Sequence, residues 1–388
     1  MNKLFFLLIS LLMAAPSAFA QTSIKITHGP YLQNVGEKDA TIVWTTNVKG
    51  TGWVELAPDD GSHFYAEERP KFFASKNGIK NTSAVHSVKL EGLAPGTRYR
   101  YRVYSQAVLK HEGVQVQYGN VAATGVYTQA PLSFVTNNRN KPAVSFGMVN
   151  DIHGKPEAME SLLSKMDMKK TDFILFNGDM VSIFDGEEPI FEGFMDKAVS
   201  MFASETPMYY TRGNHETRGA FAPAFQEYFS TEEDHIYYLF RQGPVCCVVL
   251  DCGEDKPDSD IEYSGITVYD EYRTKQAAWL EKAVQHPDFV SAPFKIVVCH
   301  MPPLKGWHGQ KEVADKFVPI LEKAGIDLML CGHLHTYIRK NAGEAASFPV
   351  IVNSNNTLLK ADVEGDACKI TVLDAEGKRV DDLVIRKK

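Results

Sequence analysis

The sequence predicts two domains: an N-terminal all-β sandwich, followed by an α/β layered domain in which mixed sheets are flanked by helices. The chain has 388 residues, 44% of them hydrophobic and 23% charged, which suffices for two substantial cores. Before about residue 140, short alternating segments are separated by Gly, Asn, Asp and Pro turns. After it, apolar strand-like runs alternate with helical ones, which is typical of α/β layers.

The first twenty residues, MNKLFFLLISLLMAAPSAFA, have the pattern of a secretory signal peptide. Lys3 precedes a short apolar stretch, and the ending Ala18-Phe19-Ala20 provides a cleavage site. The stretch is too short to span a bilayer, and no later segment reaches the ~18 apolar residues that a membrane helix needs. We therefore expect an exported protein, periplasmic or extracellular after cleavage near Ala20.

Charge and cysteine content narrow the function classes. The formal net charge of -7 provides no basic surface for nucleic acid, and no charge run suggests a tail that binds membrane. The six cysteines include Cys246 and Cys247 in VCCVVLD and Cys299 in FKIVVC, where they occupy apolar runs. These positions favour buried thiols, with one disulfide pair as the alternative.

Residues 24–136 are predicted to form the sandwich. Its alternating segments are ATIVWTT, TGWVELA, AVHSVKLEG, TRYRYRVYS and PLSFVT. In LEGLAPGTRYRYRVYS, a Pro-Gly turn leads into a strand whose alternating tyrosines resemble the tyrosine corner of fibronectin type III and immunoglobulin-like sandwiches. The sandwich is therefore expected to be fibronectin III-like, and NNRNK, residues 137–141, is the predicted linker.

Residues 142–388 are predicted to form the α/β domain. Strand-like runs such as AVSFGMVN, DFILFNGD, VCCVVLD, FKIVVCH and IDLMLCGH alternate with helical runs such as PEAMESLLSKMD and YRTKQAAWLEKAVQ. The last segments, FPVIVNSN, CKITVLD and RVDDLVIR, lack intervening helices. We expect them to add antiparallel strands at one side of the sheet.

Polar residues follow the apolar runs of this domain directly. They are Asp151 and His153 in VNDIHG, Asp179 in FNGDM, Asn214, His215 and Glu216 in RGNHE, His300 in VVCHMPP, and His333 and His335 in CGHLH. In open α/β sheets the ligand crevice lies at the carboxyl ends of the strands, so these five segments are expected to converge. Residues i and i+2 of a chain leaving a strand share one side, which predicts both final histidines in the crevice with Leu334 turned toward the core.

This inventory indicates a metal site. Carboxylates, imidazoles and one amide form the mixed nitrogen and oxygen set that suits Zn, Fe or Mn, whereas a thiolate site is not implied. Each segment alone is commonplace, since a single Asp-x-His pair is more often a solvated loop. All five segments in one domain, each at a predicted strand end, favour a functional site over coincidence.

The ordered set DIH, GD, GNHE, H and GHLH resembles the calcineurin-like metallophosphoesterase superfamily. In addition, GPYLQN, GWVEL and LAPGTRYRYRV resemble the N-terminal domain of purple acid phosphatases, so the resemblance covers about residues 24–345. The resemblance implies two metal ions, Fe, Zn or Mn, with Asp179 as the shared ligand. The other ligands that it implies are Asp151, His153 and His335 for one ion, and Asn214, His300 and His333 for the other.

The sequence departs from the purple branch at one position that matters. Purple enzymes carry a tyrosine three residues after the GD aspartate, whereas this chain has Ser182, and they lack the histidine that DIH supplies. The purple colour requires tyrosinate bound to ferric iron. The resemblance therefore implies a protein that is not purple and whose metals follow the general superfamily.

The resemblance also implies a mechanism, in which a metal-activated hydroxide attacks the phosphoryl group. His215 is left without a ligand role and is predicted to stabilise transition-state charge or to protonate the leaving oxygen. Glu216 is predicted either to hold the tautomer of His215 or to cap the following turn. Arg212 and Arg218 are candidates for contact with phosphate, and His308 is a candidate for contact with substrate.

Together these features predict an exported, binuclear phosphoesterase that acts on small phosphate esters, with phosphomonoesters favoured. One alternative is a phosphodiesterase for nucleotides or lipid head groups, which would share the metal site and differ in the surrounding loops. A second alternative is a non-catalytic surface binding protein. The intact set of candidate ligands counts against that alternative.

Overall fold

The computed structural model describes residues 23–125, 129–231 and 233–387. The predicted signal peptide, residues 1–20, lies outside the described residues. Among the described residues, no helix combines the length and the hydropathy that a membrane span requires. All six cysteines are buried and unpaired, which confirms the interpretation as core thiols.

The N-terminal domain is all-β, as predicted. Its strands are β1 (Ile26–Gln33), β2 (Asp39–Pro58), β3 (Lys71–Phe73), β4 (Ser75–Lys76), β5 (Ile79–Lys80), β6 (Ser83–Glu91), β7 (Arg98–Glu112), β8 (Gln115–Ala123) and β9 (Leu132–Val135). Within the described residues, all but the β4–β5 hairpin join one sheet of order β1-β2-β7-β8, with β3 and β6 on β2 and β9 on β7. The first half of β2 pairs with β1 and β6, and its second half pairs with β7 and β3.

Both halves of β2 face one hydrophobic core. Ile42 and Trp44 come from its first half, Val54 and Leu56 from its second, and all four belong to the same buried cluster. The strand therefore passes from one layer of the sandwich to the other. At the predicted tyrosine corner, the backbone N–H of Ala94 donates to the hydroxyl of Tyr99 at 2.9 Å.

The second domain alternates strands and helices before a run of strands closes it. Its elements are β10 (Ala143–Val149), α1 (Pro156–Leu163), β11 (Phe173–Asn177), α2 (Glu188–Ile190), α3 (Asp196–Ala198), β12 (Met208–Thr211), α4 (Phe225–Tyr228), β13 (Tyr238–Gln242), β14 (Val245–Leu250), α5 (Tyr269–Ala283), α6 (Pro287–Val290), β15 (Phe294–Cys299), α7 (His308–Lys316), α8 (Val318–Ala324), β16 (Leu328–Cys331), β17 (Ile338–Lys340), β18 (Val350–Val352), β19 (Thr357–Glu364), β20 (Ala367–Asp374) and β21 (Arg379–Arg386). Two π-helical segments, Phe191–Met195 and Val199–Ala203, extend α2 and α3.

These strands form two mixed sheets, each of six strands among the described residues. The first has the order β12-β11-β10-β19-β20-β21 and the second β13-β14-β15-β16-β18-β17. Phe146 and Leu175 of the first sheet share one buried cluster with Val249 and Val298 of the second, so the sheets pack face to face. The helices α5, α7 and α8 cover the outer face of the second sheet, and α1 with the α2–α3 segment covers that of the first. The prediction of mixed sheets flanked by helices is confirmed.

The prediction for the last strands is partly wrong. CKITVLD and RVDDLVIR form β20 and β21, which are antiparallel strands at one edge of the first sheet, as expected. FPVIVNSN instead contains β18, which pairs in parallel with β16 in the second sheet. The short strand β17 reverses the chain and pairs antiparallel with β18, so no helix is needed for the return.

The sandwich packs against the side of the second domain that carries the first sheet. Tyrosine hydroxyls cross this interface in both directions: Tyr31 donates to the carbonyl of Tyr228 at 2.9 Å, and Tyr209 donates to the carbonyl of Val35 at 2.7 Å. Tyr31 is also part of the core cluster under α1. The N-terminal domain therefore supports the outer layer of the first sheet.

Candidate metal centre

Seven predicted ligands lie together at the carboxyl ends of strands from both sheets. They follow β10 (Asp151, His153), β11 (Asp179), β12 (Asn214), β15 (His300) and β16 (His333, His335). Parallel strands within each sheet bring their ends to one edge, and face-to-face packing brings the two edges together. One crevice between the two sheets therefore collects residues from Asp151 to His335, which are 184 positions apart in sequence.

The first group contains Asp151, His153 and His335. The Nε2 atom of His335 lies 3.1 Å from Oδ1 of Asp151 and 3.1 Å from Nε2 of His153. All three candidate ligand atoms lie within 4.8 Å of one another. Ligands at ~2.1 Å from an ion lie ~3.0–3.4 Å apart on adjacent corners of its coordination polyhedron. The spacing therefore fits a single cation.

The second group contains Asp179, His300 and His333. The Nε2 atom of His300 lies 3.0 Å from Oδ2 of Asp179, and the candidate ligand atoms again lie within 4.8 Å of one another. Asn214 joins this group because its Oδ1 lies 3.0 Å from Nδ1 of His333. Asp179 also forms a further cluster with His153 and His215, and thus lies between the two groups.

Two inward-facing atoms make no hydrogen bond among the described residues. Oδ1 of Asp151 and Nε2 of His300 are both buried without a hydrogen-bond partner of suitable geometry. Their outer atoms are fixed: Oδ2 of Asp151 accepts from the side-chain amide of Asn150 at 2.6 Å, and Nδ1 of His300 donates to the carbonyl of Asn177 at 2.7 Å. Outer hydrogen bonds that orient ligand atoms toward one shared point are what a metal site requires. The residues therefore fit a metal ion.

The backbone at these ligands adopts an unusual conformation. The left-handed region is occupied at Asp151 (φ 54°), His153 (φ 50°), Asp179 (φ 53°), His333 (φ 72°) and His335 (φ 54°). Such conformations cost non-glycine residues of order 1–3 kcal/mol and cluster at functional sites. The chain therefore leaves β16 in a tight turn and not as extended backbone, and Leu334 packs against the core as predicted. The tight turn aims both imidazoles into the crevice.

Neighbouring charges and burial shift the pKa values of two histidines in the site. Although burial opposes the shift, the carboxylates of Asp179 and Asp151 raise the pKa of His300 well above its usual value. Burial, together with the charge on His300, lowers the pKa of His333 to about 4. An imidazole nitrogen binds a metal ion only when it carries no proton, so the raised pKa of His300 means that metal binding competes with protonation. Metal affinity should therefore fall as the pH falls.

Glu216 joins two of the loops that carry ligands. Its fully buried carboxylate accepts hydrogen bonds from the backbone N–H groups of Asp179 at 2.9 Å, Met180 at 2.7 Å and Gly213 at 2.9 Å, and from the hydroxyl of Tyr210 at 2.8 Å. The sequence-based suggestion that it holds the tautomer of His215 is therefore wrong. No local pattern reveals this role, because the three N–H groups belong to two different loops.

His215 is oriented by a backbone carbonyl. Its Nδ1 lies 2.7 Å from the carbonyl oxygen of Ser182, to which it must donate, so Nε2 is the nitrogen that faces the ligand cluster and Arg218. The backbone N–H of His215 donates to Oδ1 of Asp179 at 2.9 Å. Nε2 lies 4.0 Å from Oδ2 of Asp179, and the side chain is 26% exposed. His215 thus borders the ligand cluster with one nitrogen directed to the crevice.

The remaining candidates occupy different environments. Arg212 is buried, with Nη2 2.7 Å from Oδ2 of Asp251. His308 lies outside the seven-residue cluster, with Nε2 2.7 Å from Oδ1 of Asp270. Arg218 is half-buried and adjoins His215, with 3.2 Å between Nη1 and Nε2. Contact with substrate remains a prediction for all three of these residues.

Sequence reasoning missed two supporting residues. Asn150 orients Asp151, and Glu254, two residues after Cys252, pairs with Arg218 at 2.7 Å. Both residues follow the apolar run of a strand, β10 for Asn150 and β14 for Glu254, which is the signal that identified the ligands. What the sequence could not supply was the identity of their partners.

Comparisons with known proteins agree with this architecture. A family model for calcineurin-like phosphoesterase matches residues 144–337, and a model for the purple acid phosphatase N-terminal domain matches residues 28–136. Purple acid phosphatase 18 of Arabidopsis thaliana is 22% identical over 342 residues, which cover 82% of this chain and 67% of the relative. Purple acid phosphatase 21 of the same plant is 24% identical over 275 residues, which cover 67% and 54%.

The chain is also similar to a bacterial protein and to a solved bacterial structure. The uncharacterized protein Rv2577 of Mycobacterium tuberculosis is 24% identical over 83% of this chain and 64% of its own length. The chain thus spans between 54% and 67% of the length of these three relatives. Among solved structures, a calcineurin-like phosphoesterase from Bacillus subtilis covers 63% of this chain and 90% of its own, with 14% identity and a TM-score of 0.36.

Ser182 allows a spectroscopic prediction. The carbonyl oxygen of Ser182 accepts a hydrogen bond from His215. The hydroxyl of Tyr210, a tyrosine next to the site, donates a hydrogen bond to Glu216. We expect the iron-loaded protein to show no tyrosinate-to-iron absorption band in the visible region, whereas Ser182→Tyr should gain one. Absorption spectra of both proteins after loading with ferric iron test this. A purple wild-type protein would mean that another tyrosine reaches the iron.

Proposed function

Because the chain belongs to the calcineurin-like phosphoesterase family, and is thus a metal-dependent hydrolase of phosphoric esters, we propose that it is a phosphomonoesterase with two metal ions. The observation that carries the proposal is the pair of ligand groups that meet at Asp179, with the inner atoms of Asp151 and His300 left without hydrogen bonds. The phosphatase relatives support the choice of monoesters over diesters.

Asp151, His153 and His335 would hold one ion, and Asn214, His300 and His333 would hold the other, with Asp179 contributing to both groups. When bound, the ions supply Lewis acidity that activates water and neutralises charge on the phosphoryl group. Iron, zinc and manganese all suit this set of nitrogen and oxygen ligands.

His215 acts on the leaving group. Its Nδ1 is committed to the carbonyl of Ser182, so Nε2 is the nitrogen able to carry a proton toward the departing oxygen. The hydrogen bond from its backbone N–H to Asp179 fixes its position relative to the ligand cluster. Protonation of the leaving oxygen matters most for esters of poorly acidic alcohols.

Export is part of the proposal. Residues 1–20 have the signal-peptide pattern, and cleavage after Ala20 would leave Gln21 as the first residue of the mature protein. Mass spectrometry of protein collected outside the cytoplasm tests this. An intact N terminus beginning with Met1 would contradict it.

The function is tested by metal analysis of freshly purified protein, together with rates on matched phosphomonoesters and phosphodiesters. We expect about two metal ions per chain, faster hydrolysis of monoesters, loss of activity with a chelator and recovery when metal is restored. Faster hydrolysis of diesters would make the protein a phosphodiesterase instead. Absence of both metal and activity, whichever metal is supplied, would favour the binding-protein alternative.

A further inference from the structure

The carboxylate of Glu254 accepts hydrogen bonds at both of its oxygens beside the candidate metal centre, and we call its paired contact with Arg218 the clamp. Its side chain is only 1% exposed. Oε1 accepts from Nε of Arg218 at 2.7 Å and from the hydroxyl of Thr217 at 2.9 Å, while Oε2 accepts from Nη2 of Arg218 and from the hydroxyl of Tyr263, each at 3.0 Å. A bidentate pair of this kind fixes the plane of the guanidinium as well as its distance.

The clamp joins loops from the two sheets. Glu254 follows β14 of the second sheet, and Arg218 follows β12 of the first. The hydroxyl of Thr217 also lies 2.7 Å from the carbonyl oxygen of Asn214, so its one proton is shared between that oxygen and Oε1 of Glu254. The segment from Asn214 to Arg218, which carries one candidate ligand and His215, is therefore tied to the opposite wall of the crevice.

One edge of the Arg218 guanidinium is not used by the clamp. Glu254 engages Nε and Nη2, whereas Nη1 lies 3.2 Å from Nε2 of His215. The Arg218 side chain is 31% exposed, in contrast to Arg212, whose side chain is 9% exposed and paired with Asp251. Arg218 is thus the arginine that presents N–H groups at the border of the crevice.

We propose that Glu254 is a positioning residue that aims Nη1 of Arg218 at a terminal phosphoryl oxygen, and that this contact selects monoesters over diesters. The inference rests on the proposed phosphoesterase function. In a diester, a second carbon substituent occupies one oxygen that a monoester leaves free. A fixed donor aimed at that oxygen loses its partner in the diester, and sites built around such hydrogen bonds discriminate strongly.

The direction in which Glu254→Gln changes phosphate affinity distinguishes a positioning role of Glu254 from an effect of net charge. Glu254 neutralises Arg218, and Asp255 lies 3.8 Å from its Nη2. Glu254→Gln makes the site more positive, so a purely electrostatic role predicts tighter phosphate binding. The same substitution breaks the bidentate clamp, so a positioning role predicts weaker binding.

The experiment compares metal-loaded wild type, Glu254→Gln, Arg218→Lys and the double variant. We expect each single variant to raise the KM for a monoester and the dissociation constant of inorganic phosphate by about tenfold, the scale of one charge-assisted hydrogen bond. The preference for monoester over diester should fall by a similar factor, while metal content stays unchanged. The double variant should be no worse than Arg218→Lys, because Glu254 acts through Arg218.

Glu37→Gln is the matched control, since it alters another Arg–Glu pair, with Arg139 at 2.6 Å, far from the crevice. It should leave phosphate binding and ester preference unchanged. Tighter phosphate binding by Glu254→Gln, fully additive losses in the double variant, or loss of metal from Glu254→Gln would each overturn the proposal. Arg218→Lys, at a partly exposed position, keeps the test valid if Glu254→Gln fails to fold.

Calorimetry with inorganic phosphate separates this inference from the proposed function. If wild type hydrolyses no ester, the phosphomonoesterase proposal fails. Weaker phosphate binding by both single variants would still support the clamp. Unchanged phosphate binding in an active enzyme would overturn the clamp alone.

Discussion

The Asp179→Asn variant is expected to lose affinity for both metal ions together, by more than about 100-fold at each position. Asp179 contributes to the cluster with His300 and His333 and to the cluster with His153 and His215, so it lies between the two ligand groups. An amide removes the negative charge and leaves one oxygen instead of two. Loss of an outer-shell partner alone typically costs 10–100-fold in metal affinity, and a shared direct ligand should cost more.

Metal content per chain after dialysis, measured by elemental analysis, tests this expectation directly. Thermal unfolding of the metal-free variant shows separately whether the fold survives. Asp315→Asn is the control, because Asp315 is exposed on α7, and its metal content should equal that of wild type. An Asp179→Asn protein that retains two metals and near-normal turnover would refute the bridging assignment.

His215→Ala is expected to slow hydrolysis of an alkyl phosphate by ~10² to 10⁴-fold while a nitrophenyl ester is affected far less. The alkoxide is a poor leaving group that needs a proton, whereas nitrophenolate departs without one. The geometry supports this role, because Nδ1 is held by the carbonyl of Ser182 and Nε2 borders the ligand cluster. Metal content should stay at the wild-type level, since seven other residues supply the ligands.

Rates on both esters, together with metal analysis, distinguish the roles open to His215. Equal losses on the two substrates would indicate stabilisation of phosphoryl charge instead of protonation of the leaving group. Loss of one metal would instead identify His215 as a ligand. The measurement is needed because His215 lies in a cluster of candidate ligand atoms with His153 and Asp179. His111→Ala, at an exposed position of the N-terminal domain, serves as the control.

The sequence by itself identified the candidate metal ligands. Asp151, Asp179 and His300 were recognisable because each directly follows an apolar run, and a strand end is a local property that a short window of sequence reveals. Parallel strands in one layer bring such ends to one edge. The fold class followed in the same way, from the period of apolar residues and from the Pro-Gly turn before Tyr99.

Only the tertiary structure decided which groups support these residues. Glu216 binds N–H groups of two loops, Glu254 pairs with an arginine 36 positions away, and β18 returns parallel to β16 through a short reversing strand. The packing of two sheets also decided that Arg212 is buried against Asp251 while Arg218 reaches the crevice. Periodicity and spacing report on neighbours along the chain, whereas these partners are set by how distant segments pack, and no local pattern encodes that.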